Sequence, residues 1–273
     1  MTAAGDSAPI LVEVNSGVCV ITLNRPQARN AMTAEMAAQY AAALRSADAN
    51  PDVRAIVVTG AGAGFCAGAD LSILREGAEA LRKFLPPRED YPDLALRLRK
   101  PVIAAVNGAA VGIGFAYMMY SDVRFVAESA KLATMFSQLG LVAEYGLSWL
   151  LPRVIGLQPA MELLLSGRTI DGREAERIGL VHRAVPDDQV LPTAIEYASA
   201  LAKNCSPASL QAIKEQVYAD LERPREEAFL DTIARMDVSF GGPDLAEAMQ
   251  ARQEKRPPVF NPLPPSPAAA DQA

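Results

Sequence analysis

The chain has 273 residues, close to two domains at roughly 150 residues each, or one large α/β domain with an appendage. Half of it is hydrophobic and 21% is charged, which excludes a disordered chain and a multi-span membrane protein. With 26 basic against 32 acidic residues and a net charge of −6, non-specific binding to nucleic acid is excluded too. Cys19, Cys66 and Cys205 are too widely spaced for a metal site, and three cysteines in so long a chain are no disulfide framework, so a reducing cytoplasm is expected. Met1 to Pro9 carries neither a basic residue nor an apolar run, so no signal or transit peptide is expected there.

In chain order, Ile10 to Leu23 alternates about the turn cluster Asn15-Ser16-Gly17 and predicts a hairpin. Thr33 is a candidate N-cap for a helix carrying Met36, Tyr40 and Leu44 on one side, stopped at Asn50-Pro51. Val53 to Thr59 predicts a buried strand, Gly60 to Ala69 a glycine-rich loop, and the charged segment from Leu71 to Tyr91 a mobile flap. Pro101 to Tyr120 is twenty residues without a charge, with Gly108 and Gly112 spaced as G-x-x-x-G, which imitates a membrane span. Asn107, Pro101 and three glycines argue instead for a buried strand from Val102 to Val106, a turn, and a core helix from about Gly112 to Ser121.

Asp122 to Ala127 predicts another strand, and the alternation implies a mainly parallel sheet. From Gln189 onward four helices follow with no strand between them, at 189–203, 207–221, 226–238 and 243–252. The expected organisation is a core over 8–189, a helical oligomerisation region over 190–256 and a disordered tail over 257–273.

Several chemistries lack their residues. The glycines at 60, 62 and 64 fail the dinucleotide fingerprint at Phe65, and no P-loop or nucleophile elbow occurs. The single histidine, His182, lies in an apolar strand-like run and is read as structural. Two segments remain in which a strand ends in a small-residue loop that opens a helix, Phe65 to Leu71 and Asn107 to Gly114. Each offers free backbone N–H groups at a helix N-terminus, and if they face one cavity, one from each could hold a single oxygen as an oxyanion hole.

Leu23-Asn24-Arg25-Pro26 with Asn30-Ala31, the Ala67 to Asp70 quartet, Pro101 to Gly108, and Gly179-Leu180-Val181 stand in an order that resembles the crotonase (enoyl-CoA hydratase/isomerase) superfamily over about residues 8 to 260. The resemblance implies an α/β fold, a spiral of ββα turns with a C-terminal helical trimerisation region, assembled as a homotrimer or dimer of trimers. It implies an acyl-CoA thioester as substrate, coenzyme A being part of that substrate, with no prosthetic group and no metal. The thioester oxygen would be held by the N–H groups of Ala67 and Ile113. Coenzyme A would lie along Ala67, Gly68, Ala69, Asp70 and Leu71, with Arg25, Arg29 and Lys255 near its phosphates.

Hydratases of this family use two glutamates, and the matching positions are Ala116 and Phe136, with no acid nearby to replace either. Gly140 to Gly146 instead resembles the segment in which peroxisomal-type Δ3,Δ2-enoyl-CoA isomerases carry a single catalytic glutamate, here Glu144. Its apolar neighbours Leu141, Val142, Ala143, Leu147 and Trp149 should raise its pKa toward that of a working base. Asp70 is read as a helix cap. The expected activity is double-bond isomerisation in fatty-acid metabolism; hydration, another crotonase chemistry such as C–C hydrolysis or dehalogenation, and a silent acyl-CoA-binding protein are the alternatives.

Overall fold

A computed structural model describes residues 8–265 of the chain. Residues 1–7, most of the stretch read as free of a leader, and 266–273, the last part of the expected tail, lie outside the described residues. Strands β1 (Ile10–Asn15) and β2 (Val18–Leu23) form the predicted antiparallel hairpin. Helix α1 (Ala34–Ala49) follows, its N-cap Thr33 accepting a hydrogen bond from the Met36 N–H, with Met36, Tyr40 and Leu44 buried.

The next elements repeat one pattern. A long strand is followed at once by a very short one and then by helix: β3 (Ala55–Gly60), β4 (Gly64–Cys66), and the small helices α2 (Leu71–Glu76), α3 (Ala78–Phe84) and α4 (Leu94–Arg97). Then come β5 (Val102–Val106), β6 (Ala109–Val111) and α5 (Ile113–Met119), and after them β7 (Val123–Ala127), β8 (Leu132–Ala133), α6 (Leu147–Ile155), α7 (Leu157–Ser166) and α8 (Gly172–Arg177). The long strands join the hairpin and β9 (Arg183–Val185) in a six-stranded sheet of order β1-β2-β3-β5-β7-β9, parallel beyond β2, and the short ones form a second parallel sheet, β4-β6-β8. Successive ββα turns thus advance side by side along both sheets, and the expected spiral is the observed architecture. The expected loop at 60–69 contains β4, and the expected flap carries α2 and α3, with Phe84 buried.

Every residue of β3 and β5 is buried, as continuous apolar strands covered on both faces must be. Helix α9 (Val190–Asn204) supplies one cover, lying against β2, β3, β5 and β7 with Val190, Ala194 and Ala198 fully enclosed. It therefore packs as part of the core, although its sequence runs on into the helical region. His182 stacks edge-on against Phe125, 5.4 Å between ring centres, the structural role expected of it.

The last helices, α10 (Pro207–Asp220), α11 (Arg225–Phe240) and α12 (Pro243–Glu254), are tied to the core at few points. The principal one is ionic. The Lys214 ammonium donates to Asp122 Oδ2 at 2.7 Å and to the Ala95 and Lys100 carbonyls, while Tyr218 donates to Asp122 Oδ1 at 2.9 Å. Asp122 also accepts the Val102 N–H that opens β5. Beyond α12 the segment 257–265 has no helix or strand, yet Phe260 is buried and Arg54 and Arg99 donate to the Phe260 and Pro264 carbonyls. The disorder expected from residue 257 thus does not describe this stretch, because an aromatic side chain and two guanidinium groups hold it to the core. Among the described residues no helix is long and apolar enough to cross a membrane.

Candidate active site

The pairing of β4 with β6 brings the two small-residue loops together. Gly64 pairs with Ala109 and Cys66 with Ala110 in a parallel ladder, so both loops leave neighbouring strands at the same end. Ala69 is three residues beyond Cys66, and Ile113 three beyond Ala110. Two asparagines fix the loops from behind. Asn30, fully buried, donates to the Ala61 and Gly64 carbonyls at 2.9 and 2.7 Å. Asn107 donates to Gly60 and Gly62 at 2.8 and 2.9 Å and accepts the Gly60 N–H. Both lie in segments that carry the family resemblance, but their stapling role cannot be read from a sequence, since the backbone groups they bind lie in another turn of the spiral.

The structure corrects one expected donor. The Ala67 N–H already donates to the Arg29 carbonyl at 3.1 Å, so it cannot hold a ligand oxygen. Two residues on, Met32 and Ala69 form a parallel bridge in which the Met32 N–H donates to Gly68 and the Asp70 N–H donates to Met32. In such a bridge the N–H of Ala69 itself faces away from the partner strand. It has no partner among the described residues, and it takes the place of Ala67. Ile113 is the first residue of α5, after Gly112 at φ 54°, and its N–H is likewise one of the helix's unpaired leading donors.

Asp70 caps α2 as expected, its Oδ1 accepting from the Ser72 N–H at 3.1 Å and the Ser72 hydroxyl at 2.9 Å. These bonds, with Arg25, hold its carboxyl below the usual carboxylate range. Arg25 faces inward, pairing with Asp70 at 3.0 Å and donating to the Ala31 carbonyl, so it is no free cation. Arg29 and Lys255 are exposed, both with left-handed backbone, and neither side chain has an ion pair among the described residues. Gly68 is buried with φ 109°, and Leu71 is exposed at the start of α2.

Glu144 opens a 3-10 helix, Glu144–Gly146, that packs against α5 and leads into α6. The turn is held by Tyr120, whose hydroxyl donates to the Tyr145 carbonyl, and Tyr145 itself has left-handed backbone at φ 54°. Helix α5, against which this turn packs, also packs against β4 at the root of the first loop. The Glu144 carboxylate is half-buried, has no hydrogen bond or ion pair among the described residues, and is pushed above the ordinary carboxylate range by burial. Of the apolar neighbours expected to do this, Leu147 is buried and Leu141, Ala143 and Trp149 are partly so, but Val142 is 77% exposed and contributes nothing. Ala116 and Phe136 are both buried. The thiol of Cys66, buried at the end of β4, is pushed up to about 12 and is no nucleophile at neutral pH. Among the described residues no three His, Cys, Asp or Glu side chains gather as a metal site.

Comparison with known proteins adds to this geometry. A sequence model of the enoyl-CoA hydratase/isomerase family matches residues 13–262. A protein of Rhodobacter capsulatus called "Probable enoyl-CoA hydratase" is 39% identical over 255 residues, covering 92% of this chain and 97% of its own. Among solved structures, a probable enoyl-CoA hydratase/isomerase from Mycobacterium abscessus superposes with a TM-score of 0.85 at 33% identity, over 93% of this chain and 99% of that one. An enoyl-CoA hydratase from Polaromonas sp. JS666 does so with a TM-score of 0.86 at 30% identity, over 92% and 99%.

The raised pKa of Glu144 carries a stability consequence. A carboxyl that holds its proton more tightly when folded is a burden once ionised, so stability falls as pH rises through the titration. Glu144→Gln should therefore have a higher Tm than the wild type at neutral pH, and the gain should vanish below the ordinary carboxylate range, as read by thermal melts across pH.

Proposed function

Because the chain belongs to the enoyl-CoA hydratase/isomerase family, we propose that it acts on acyl-CoA thioesters, and that its reaction is the isomerisation of a 3-enoyl-CoA to the trans-2-enoyl-CoA. The observation that carries this reading is the single carboxylate. Glu144 is half-buried without a partner among the described residues, while the positions at which the family's hydratases would carry acids are the buried, non-ionisable Ala116 and Phe136. Adding water across a double bond calls for one group to activate the water and another to protonate carbon. Moving a proton from C2 to C4 needs only one.

In this mechanism the thioester oxygen accepts hydrogen bonds from the Ala69 and Ile113 N–H groups. Glu144 takes the C2 proton, and the electron pair of that C–H bond moves into the enolate, whose charge rests on the oxygen between the two donors. When the carbonyl re-forms, the electrons shift to a C2–C3 double bond and the former C3–C4 pair takes the proton back from Glu144 at C4. An oxyanion-hole donor is worth about 2.7 to 4 kcal/mol of transition-state stabilisation, and the α5 dipole adds to it. Coenzyme A would follow the loop from Gly68 to Leu71, with Arg29 and Lys255 as its free cations.

The exposed apolar side chains of the last helices support a homotrimer or dimer of trimers. Helix α11 has no buried residue, yet carries Phe229, Leu230, Ile233 and Phe240, each about 60% exposed, an apolar surface of the kind that marks an interface.

Glu144→Gln keeps shape and hydrogen bonding but removes the base, so kcat for a 3-enoyl-CoA should fall at least about 100-fold with little change in thioester affinity. Wild-type activity should decline on acidification at a higher pH than for an ordinary carboxylate. Efficient loss of crotonyl-CoA absorbance by the wild type, which would be hydration, overturns the isomerase reading. Proline is tolerated at the first position of a helix, so Ile113→Pro should fold yet lose nearly all kcat/KM, whereas Ile113→Ala, which keeps the N–H, should retain much of it. Sedimentation at micromolar concentration should show trimers or hexamers; a stable monomer would exclude the assembly.

A further inference from the structure

Five tyrosines gather around the candidate site. Tyr40 on α1 and Tyr117 on α5 pack edge to face, 4.8 Å between ring centres, and Tyr91 and Tyr145 do so at 6.0 Å. Tyr120 joins them through its bond to the Tyr145 carbonyl. One hydroxyl in this group is unusual. The Tyr117 side chain is buried and its hydroxyl has no hydrogen-bond partner. The other buried unpaired atoms, on Asp90, Asp220 and Arg223, each lie in an ion pair; among the described residues Tyr117 has none.

An unmet buried donor costs stability and calls for an explanation. Its position supplies one. Tyr117 is four residues beyond Ile113, hence one turn further along α5 on the same face, about 6 Å along the axis. Side chains on a helix lean back toward its N-terminus, so the ring leans toward the end of α5 at which the thioester carbonyl would be held. Helix α5 packs against both β4, which leads into the first loop, and the turn that carries Glu144. Tyr117 therefore lies on the short helix that joins the first loop to that turn. An acyl chain whose carbonyl is at Ile113 would run past it.

We propose that Tyr117 is a specificity residue whose hydroxyl donates a hydrogen bond to a neutral oxygen on the acyl chain, a keto, hydroxyl or ether group beyond the reacting carbons. This rests on the acyl-CoA reading above. Burial holds the phenol well above its ordinary pKa, so it acts as a donor and not as a phenolate. The same burial disfavours a charged acyl terminus. A plain hydrocarbon chain leaves the hydroxyl unmet, and an oxygen-bearing one completes it, which is how a site built around a polar group discriminates.

The test uses saturated thioesters, which cannot isomerise and so read the pocket alone. Binding of hexanoyl-CoA, 5-oxohexanoyl-CoA and 6-oxoheptanoyl-CoA is measured by calorimetry on the wild type and on Tyr117→Phe, which keeps the ring against Tyr40. The wild type should bind one oxo-thioester about 10- to 100-fold more tightly than hexanoyl-CoA, and Tyr117→Phe should lose that preference while its hexanoyl-CoA affinity changes less than about threefold. Equal binding of all three by the wild type, or a preference that survives in Tyr117→Phe, overturns the proposal. Failure of the wild type to bind any of the three overturns the acyl-CoA reading itself, whereas a Tyr117-dependent preference in a protein that does not isomerise 3-enoyl-CoA overturns only the isomerase assignment.

Discussion

The backbones of successive turns of the spiral touch where a side chain would forbid it. A Cβ on Gly114 would stand 2.1 Å from the Cys66 carbonyl oxygen, and one on Gly108 would stand 2.2 Å from that of Ala63, distances at which no real Cβ is found. The close approach is what lets β4 and β6 pair and lets the first turn of α5 rest on the end of the first loop. From it follow the shared direction of the loops and the neighbourhood of Ala69 and Ile113. In the proposed mechanism an oxyanion hole made of these two N–H groups would be held by backbone, its dipoles in place before any charge develops. Asn30 and Asn107 reinforce the arrangement by binding carbonyls that the tight turns leave unpaired.

Long elements were legible in the sequence, and the reason is periodicity. The hairpin, α1 with its Thr33 cap, the buried strands β3 and β5, and the four C-terminal helices all span enough residues for an apolar pattern to repeat. Strands β4, β6 and β8 span two or three residues of mostly glycine, alanine and similar small side chains. So short a segment shows no period, and its composition reads as loop. Yet these are the strands that hold the site. The fold class could be read without them; the mutual placement of the loops could not.

The choice between Ala67 and Ala69 shows the same limit at a single residue. Along an extended chain, N–H groups two residues apart point the same way. Gly68, at φ 109°, breaks that alternation, so the Ala67 N–H turns to Arg29 and the Ala69 N–H turns away from Met32. No residue type announces that reversal, because glycine permits many conformations and specifies none. The raised pKa of Glu144 was legible for a different reason: its neighbours form an apolar segment, and that is visible in sequence. The inward turn of Arg25 was not, since Asp70 lies 45 residues away.

What the interior lacks shapes the chemistry that remains. Ala116 and Phe136 are buried and carry no carboxylate, and among the described residues burial alone raises the Glu144 pKa. A like charge nearby would couple two titrations and leave one group protonated and the other ionised, the division of labour between acid and base that hydration uses. In the proposed isomerisation a solitary carboxylate would instead move between its two protonation states within one turnover. For that cycle neither state may be too stable, and partial burial without a hydrogen bond meets the condition: the ionised form gains no fixed partner and the protonated form keeps access to solvent. A thioester that displaces water from the site would strengthen the base further at the moment it is needed.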